Sequence, residues 1–230
     1  MDGYDLISYS FWAVVIGAFI FAIAYFGGIE KKRNHDILSL AIKNDWEYSK
    51  CDARYRNTHL HLKTFQAGIK HFTVNVINGR RDGVDFVLAD YSYVLMSGHP
   101  RNMTVDQTVC FLFDQSIQLP HFFLRKKKPL MDSVGKLLGG KDIIFSDDKA
   151  FSDAFVLQGA NEDSAREFFS PQIRKAFLKF AGSDIQVEAW KDFIVVHRCN
   201  LLPVVKWKGL LADSLSLHQA FKKTAALNPL

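Results

Sequence analysis

Residues 84–95 read VDFVLADYSYVL, an unbroken run of β-branched and aromatic residues that is typical of a long strand. Two pairs, Asn78-Gly79 and then Asp82-Gly83, precede this run and supply the residues of tight hairpin turns. Before the turn, residues 71–77 (HFTVNVI) alternate between apolar and polar side chains, as a half-buried strand does. After the run, residues 104–113 (TVDQTVCFLF) have the same character. We therefore predict an antiparallel meander of three strands that are neighbours in sequence.

Helix signals interrupt the strands further along the chain. Asn161 is a good N-cap, and Glu162 and Asp163 place negative charge in the first turn that follows. Ser170-Pro171 repeats the start signal, so the helix either kinks there or a second helix begins at Pro171. We also predict a short helix over residues 30–44, another over residues 130–138 and a final helix over about residues 210–226. Residues 60–65 alternate weakly between apolar and polar side chains, as a strand does.

Two apolar segments, residues 185–190 and 193–197, flank Lys191-Asp192 and predict a hairpin. Strands interrupted by separate helices indicate an α+β domain rather than alternating βαβ units. The predicted fold class is therefore α+β: one N-terminal transmembrane helix, then a soluble domain with a largely antiparallel sheet and flanking helices.

The transmembrane helix is predicted from the apolar run FWAVVIGAFIFAIAYFGGI, residues 11–29. As a helix this run would be ~28 Å long, close to a hydrocarbon core of ~30 Å. A cleaved signal peptide is the alternative, because Ala22-Ile23-Ala24 resembles a cleavage site, and a buried helix is a third interpretation. Residues 1–30 are thus predicted to be an anchor and residues 31–230 a soluble domain. An alternative divides that domain into two subdomains meeting near residues 129–141.

The charges on either side of this run predict its orientation. Asp2 and Asp5 precede it, whereas Lys31-Lys32-Arg33 follows it, and positive residues stay on the cytoplasmic side. The expectation is a single-pass membrane protein, with its N-terminus outside and its domain in the cytoplasm. The three cysteines are odd in number and widely spaced, which fits a reducing compartment.

Basic residues dominate the part of the chain after residue 30. All 29 Lys and Arg lie there but only 21 of the 24 acidic residues, so this part carries about +8. Two clusters are predicted to contact anionic lipid, since each such charge near a lipid surface contributes about 1 kcal/mol. The residues concerned are Lys31, Lys32, Arg33, Arg125, Lys126, Lys127 and Lys128. For residues 125–128, and for Lys206, Lys208, Lys222 and Lys223 further on, a solvated loop and helix face is the competing interpretation.

Candidate catalytic and metal-binding residues are few. His59 and His61 would share one face of a strand and could both reach a metal, with His71 as a third ligand, but no Cys or carboxylate stands at ligand spacing, and a solvated strand face is favoured. Asp142, Asp147 and Asp148 offer carboxylates for acid/base or magnesium chemistry, but aspartates in such turns are more often turn and capping residues. Asp90 lies in an apolar strand and calls for an arginine partner, either Arg125 or another.

An ordered series of short motifs resembles a widespread bacterial family of membrane-anchored proteins of unknown function. The motifs are Asp90-Tyr91-x-Tyr93, Gln107-Thr108-Val109, Leu119-Pro120-x-Phe122-x-Leu124-Arg125, Asp142-Ile143-x-Phe145, Phe155-x-Leu157-x-Gly159, Glu162 and Arg166-x-x-Phe169. The resemblance covers roughly residues 35–198. It implies a bacterial origin, and so the inner membrane as the location of the predicted anchor. It implies no known activity, so it carries over no functional residue. A lysine run stands where the family pattern has an acidic residue after the Leu-Arg segment.

The sequence favours a binding or scaffolding domain at the cytoplasmic face of a membrane. No nucleotide-binding, hydrolase, zinc or CxxC motif is present, so an enzyme with a non-motif active site is the alternative. An accessory subunit of a membrane complex is a third hypothesis. The expected partners are the lipid bilayer, an anionic lipid surface and an unidentified membrane protein. No cofactor or metal is expected, and nucleic acid is disfavoured because no binding fold is evident.

Overall fold

A computed structural model describes residues 3–52, 62–96, 103–128 and 141–227. The strands in these ranges are β1 (Glu47–Cys51), β2 (Ile69–Arg81), β3 (Val84–Leu95), β4 (Met103–Phe113), β5 (Leu119–Lys126), β6 (Phe155–Gly159), β7 (Ile185–Lys191) and β8 (Phe193–Arg198). The helices are α1 (Gly3–Lys43), α2 (Lys63–Gln66), α3 (Lys149–Ala154), α4 (Glu162–Phe168), α5 (Pro171–Leu178) and α6 (Trp207–Leu227). A single 3₁₀ turn, Val204–Lys206, leads into α6.

The eight strands of the described ranges form one antiparallel sheet in the order β1-β2-β3-β4-β8-β7-β5-β6. Asp82 and Gly83 connect β2 to β3 with φ angles of 52° and 80°, the left-handed values that a tight hairpin turn requires. The other predicted turn pair, Asn78-Gly79, is not a turn: it lies within β2 and pairs with β3. The predicted meander is confirmed as β2-β3-β4. The predicted hairpin over residues 185–197 is confirmed as β7-β8.

The two faces of the sheet are covered differently. The face we call the helix face packs against α1, α4, α5 and α6 through the larger core. Much of this core is aromatic: the ring of Phe122 contacts those of Phe168, Phe169 and Phe221 at centroid distances of 4.8–5.8 Å. The other face, here called the α2 face, carries a smaller core under Leu62 and Phe65.

Local signals set the helix boundaries on the helix face. The Asn161 side chain accepts a hydrogen bond from the Ser164 amide at 3.0 Å and so caps α4, as predicted. Pro171 occupies the first turn of α5, so the Ser170-Pro171 signal marks a new helix rather than a kink. The predicted C-terminal helix is present but begins earlier, at Trp207.

The first helix requires a correction. Crossing a hydrocarbon core of ~30 Å takes about 20 consecutive, mostly apolar residues. Although α1 is 41 residues long, no helix within the described part of the chain offers an apolar stretch of sufficient length. The predicted transmembrane helix is therefore wrong, and so is the fold class in that element. What the structure supports is an α+β fold with an eight-stranded antiparallel sheet.

The location that rested on that helix is corrected with it. A single-pass inner-membrane protein with an outside N-terminus and a cytoplasmic domain is not supported, because that assignment required the span. Nor does a separate helix begin near residue 30, since α1 continues without a break to Lys43.

Other differences are local. The weakly alternating segment around residues 60–65 is not a strand where it is described, because residues 63–66 form α2. The apolar run 151–157 divides into the end of α3 and the start of β6 at Phe155. The helix predicted over residues 130–138 lies outside the described residues. Strands on both sides of that segment belong to the same sheet, and the prediction of two subdomains stays a prediction.

Candidate functional site

The C-terminal third of α1 lies across β1 and β2 on the helix face. Ile37 and Ala41 are fully buried there, one helical turn apart, and anchor the helix through apolar contact. Trp46, just after the helix, packs edge-to-face on Phe86 at 5.0 Å. This packing fixes which side of α1 faces the sheet and which side faces outward.

A polar network reinforces the same interface. The Arg33 guanidinium donates two hydrogen bonds to the Asp90 carboxylate, at 2.8 and 2.7 Å. Asp90 is almost fully buried and also accepts hydrogen bonds from Thr108 Oγ1 at 3.1 Å and Asn75 Nδ2 at 3.3 Å. Such a bidentate pair fixes both distance and angle, so it sets the position of α1 on the sheet.

The partner that Asp90 required is thus Arg33 of α1. Arg125, the other arginine considered from the sequence, lies on β5, four strands away from β3, or about 19 Å at the usual strand spacing. The interpretation of Asp90 as one half of a structural ion pair agrees with this geometry.

Arg33 also holds the segment that precedes α6. Its Nη1 donates to the carbonyl oxygen of Leu202 at 2.9 Å, and the amide of Leu202 donates to Thr108 Oγ1 at 2.9 Å. The guanidinium carbon lies 5.8 Å from the ring centre of Trp207, the first residue of α6. One side chain therefore connects α1, the sheet and residues 202–207.

Between α1 and residues 203–205 runs an open groove of about 660 Å³, here called the α1 groove. One wall is a stripe of α1 residues from Ile29 to Lys43, about 21 Å long at the helical rise. Pro203, Val204 and Val205 form the other wall. Val204 packs partly against the larger core, whereas Val205 is 89% exposed, an unusual state for a valine.

The chemistry of the α1 groove is apolar with charged ends. Ile29, Leu40 and the two valines supply an apolar surface, whereas Lys32 and Lys43 lie toward opposite ends of the stripe. Asp36 lies between them, and Arg33 is already neutralised by Asp90. The groove thus offers apolar contact together with a small positive excess, as an anionic amphiphile requires.

The two predicted basic clusters are not brought together. Lys31, Lys32 and Arg33 lie on α1, whereas residues 125–128 lie at and just beyond the end of β5. Within the second cluster, Lys127 Nζ donates to the Ser152 carbonyl at 3.1 Å and Lys128 pairs with Asp184 at 3.3 Å. Of the seven residues, Lys32 and Arg33 line the α1 groove. Lipid contact by the seven stays a prediction.

On the α2 face, a buried carboxylate holds α2 against the sheet. Glu188 of β7 is fully buried and accepts hydrogen bonds from the Lys63 and Thr64 amides, from Thr64 Oγ1 and from His121 Nε2, all at 2.8–2.9 Å. Burial acts to raise the pKa of Glu188, but the bonds from His121, Thr64 and Lys63 together lower it below its usual value. With four donors, this carboxylate serves as an N-terminal cap for α2.

His197 of β8 lies on the same face but has no such support. Both ring nitrogens are buried and lack a hydrogen-bond partner among the described residues. Burial lowers the pKa of His197 to about 4, because the charged imidazolium would lose its hydration. The ring is therefore neutral in the folded protein over most of the acid range.

We expect His197 to make the protein sensitive to acid. The unfolded chain takes up a proton near pH 6.5 but the folded chain only near pH 4, so stability is lost as the pH falls through this window. At pH 5 the loss is about 2 kcal/mol relative to pH 7.5. Urea unfolding of wild type and H197F at both pH values measures it. An equal loss in the variant would assign the acid sensitivity to other groups.

The remaining candidates have structural contacts where they are described. Arg174 binds Asp148 at 2.9 Å and Asp147 at 2.6 Å, and Asp148 also caps α3. Asp142 accepts a hydrogen bond from Gln158. His59 and His61 lie outside the described residues, and within the described ranges no three His, Cys, Asp or Glu side chains are grouped as metal ligands would be.

Sequence reasoning missed the second wall of the α1 groove. The signal available was Pro203-Val204-Val205, two valines between a proline and Lys206, which do not fit the apolar stripe of the following helix. Such isolated pairs occur often at protein surfaces, so the signal is weak without the geometry.

No protein-family model and no curated protein matches the chain. Among solved structures, the fold is similar to the crystal structure of the mycobacterial trehalose monomycolate transport factor A, TtfA, with a TM-score of 0.54. The match covers 84% of this chain and 94% of that one at 12% sequence identity. At this identity the similarity establishes the shared fold alone. The resemblance to a bacterial membrane-anchored family stays a prediction.

Proposed function

We propose that this protein is a non-enzymatic accessory factor of lipid handling that binds an anionic lipid in the α1 groove. The observation that carries the proposal is the groove itself, which combines an apolar wall that is exposed at Val205 with lysines toward opposite ends. The transport-factor name of the structural neighbour agrees with such a role. The ligand's apolar chain would lie along α1 and its acidic group beside Lys32 or Lys43.

Size and rigidity favour this use of the groove. A volume of about 660 Å³ lies within the range of about 300–1,000 Å³ typical of small-molecule sites. The ion pair between Arg33 and Asp90 holds one wall, and the bond from Arg33 to the Leu202 carbonyl holds the approach to the other. A wall that is fixed in advance reduces the ordering cost of binding.

The proposal predicts that V205D weakens fatty-acid binding at least tenfold, which corresponds to about 1.4 kcal/mol. An aspartate there removes apolar contact and repels the carboxylate of the ligand. Displacement of a dansyl-labelled fatty acid by palmitate measures the affinity of the full-length protein. I144D is the matched control, because Ile144 is also an exposed apolar residue but lies outside the groove.

A second comparison tests the charged ends. K32Q combined with K43Q should weaken palmitate binding several-fold but leave binding of the neutral alcohol hexadecanol unchanged. If V205D and I144D bind palmitate with the same affinity as wild type, the α1 groove is not the lipid site. If the lysine variants affect the alcohol and the acid equally, the lysines do not recognise the acidic group.

A further inference from the structure

A second groove, of about 530 Å³, lies between α5 and α6 and is here called the α5–α6 groove. It exists because small side chains, Ala176 and Ala220 among them, face each other between the two helices. Ile173 and Thr224 are buried in its floor. It is separate from the α1 groove, with which it shares no lining residue.

The polar groups of this groove include cations but no acids. Lys179 follows α5 and Lys223 lies on α6, and both line the groove. The other polar lining residues are serines, glutamines and a threonine, and no aspartate or glutamate is among them. Neither lysine pairs with a carboxylate within the described ranges, whereas the adjacent Lys222 binds Asp114 at 3.0 Å. The groove therefore has uncompensated positive charge.

Hydrogen-bond donors lie at the start of α5. Ser170 occupies the N-cap position, but its hydroxyl forms no cap hydrogen bond, and its Oγ is buried without a partner among the described residues. The amides of Gln172 and Ile173 belong to the first turn, where a helix leaves its N–H groups unpaired. No acidic residue stands in this first turn to use them. Together with the lysines, these donors suit an oxyanion.

We infer that the α5–α6 groove binds a ligand carrying a phosphate group, either free or as part of a lipid headgroup. The phosphate oxygens accept from the Ser170 hydroxyl and the first-turn amides of α5, and Lys223 supplies the opposite charge. Ile173, Ala176 and Ala220 contact the less polar remainder of the ligand. This site is independent of fatty-acid binding in the α1 groove.

Titration of the full-length protein with inorganic phosphate tests the inference by amide chemical shifts. The expected result is saturable shifts of the Gln172 and Ile173 amides, with an apparent Kd at least fivefold weaker in K223Q and in S170A. K222Q and K175Q are matched controls, because each removes one exposed lysine from the same helices outside the groove. Both controls should bind phosphate as wild type does.

Sedimentation with vesicles distinguishes the two sources of phosphate. Binding to phosphatidic acid vesicles that K223Q weakens and K222Q leaves unchanged, without any response to inorganic phosphate, assigns a lipid headgroup. A response to inorganic phosphate alone assigns a free phosphate compound. Equal weakening by K222Q and K223Q, or no response in either experiment, overturns the inference. The results of the phosphate titration and of the vesicle sedimentation do not affect the V205D test of the α1 groove.

Discussion

Replacing Asp90 with alanine is expected to lower the free energy of unfolding by about 3 kcal/mol, because it leaves a partly buried guanidinium without its counter-ion. The substitution removes both Arg33 bonds as well as those from Thr108 and Asn75. For a chain of this size, that loss corresponds to a fall in Tm of about 6–12 °C. Thermal unfolding followed by circular dichroism measures it directly.

The control for Asp90 is Asp85 on the same strand. Asp85 pairs with Arg80 at 3.7 Å, but both side chains are mostly exposed, so D85A should change stability by less than about 1 kcal/mol. A double-mutant cycle with R33M and D90A should give a coupling energy of ~1.5 kcal/mol or more, well above that of an exposed pair. Equal effects of D90A and D85A would mean that Arg33 does not fix α1 to the sheet.

Replacing Glu188 with alanine is expected to lower the free energy of unfolding by about 3 kcal/mol, as much as D90A does. The substitution leaves two backbone amides of α2 and the Thr64 hydroxyl without their hydrogen-bond acceptor. Each unsatisfied buried donor costs ~1–3 kcal/mol. Denaturant unfolding gives the stability, and the hydrogen-exchange rates of residues 63–66 should rise more than those of the central strands. Unchanged exchange there would contradict the role of Glu188 as the cap of α2.

Two comparisons separate charge from packing at Glu188. E188Q keeps the shape but loses the charged acceptor, so it should retain part of the stability. E162A removes a carboxylate from an exposed pair with Arg166 and should have little effect. Because the pKa of Glu188 is lowered by folding, its contribution is present above the unfolded value and is lost as the pH falls through the folded one. E188Q should lack that part of the acid dependence.

The strands could be predicted from the sequence because their pattern is local. Alternation over residues 71–77 and the turn signals at Asn78-Gly79 and Asp82-Gly83 indicate a hairpin without reference to the rest of the chain, although only Asp82-Gly83 is the turn. α2 could not be predicted, because a helix of four residues is not stable by itself. Its N-terminus is held by Glu188, a residue 125 positions away from Lys63.

The candidate site could be predicted only in part, because its contacts also join residues that are far apart in sequence. The position of Asp90 in an apolar strand indicated that a cation must lie nearby, but not which cation. Arg33 was assigned to lipid contact because it ends a basic triplet after an apolar run. The structure shows that its guanidinium binds Asp90, 57 residues away in sequence, whereas lipid contact stays a prediction. Charge counts locate basic segments, but they do not distinguish a solvated side chain from one that holds two elements together.

The order of the strands has a consequence for how quickly the chain acquires its structure. β1 to β4 pair with their neighbours in sequence. β4 also pairs with β8, which is far away in sequence, and this pairing places Val109 opposite His197 at the centre of the sheet. Closing the long loop between β4 and β8 costs chain entropy before the contacts between these two strands can compensate for it. Topologies rich in such pairings fold in milliseconds to seconds. The meander is therefore expected to gain protection from hydrogen exchange early during refolding. The joining of β4 to β8, which also brings residues 202–207 to Arg33, would be the slow step, and until it occurs the α1 groove has only one wall.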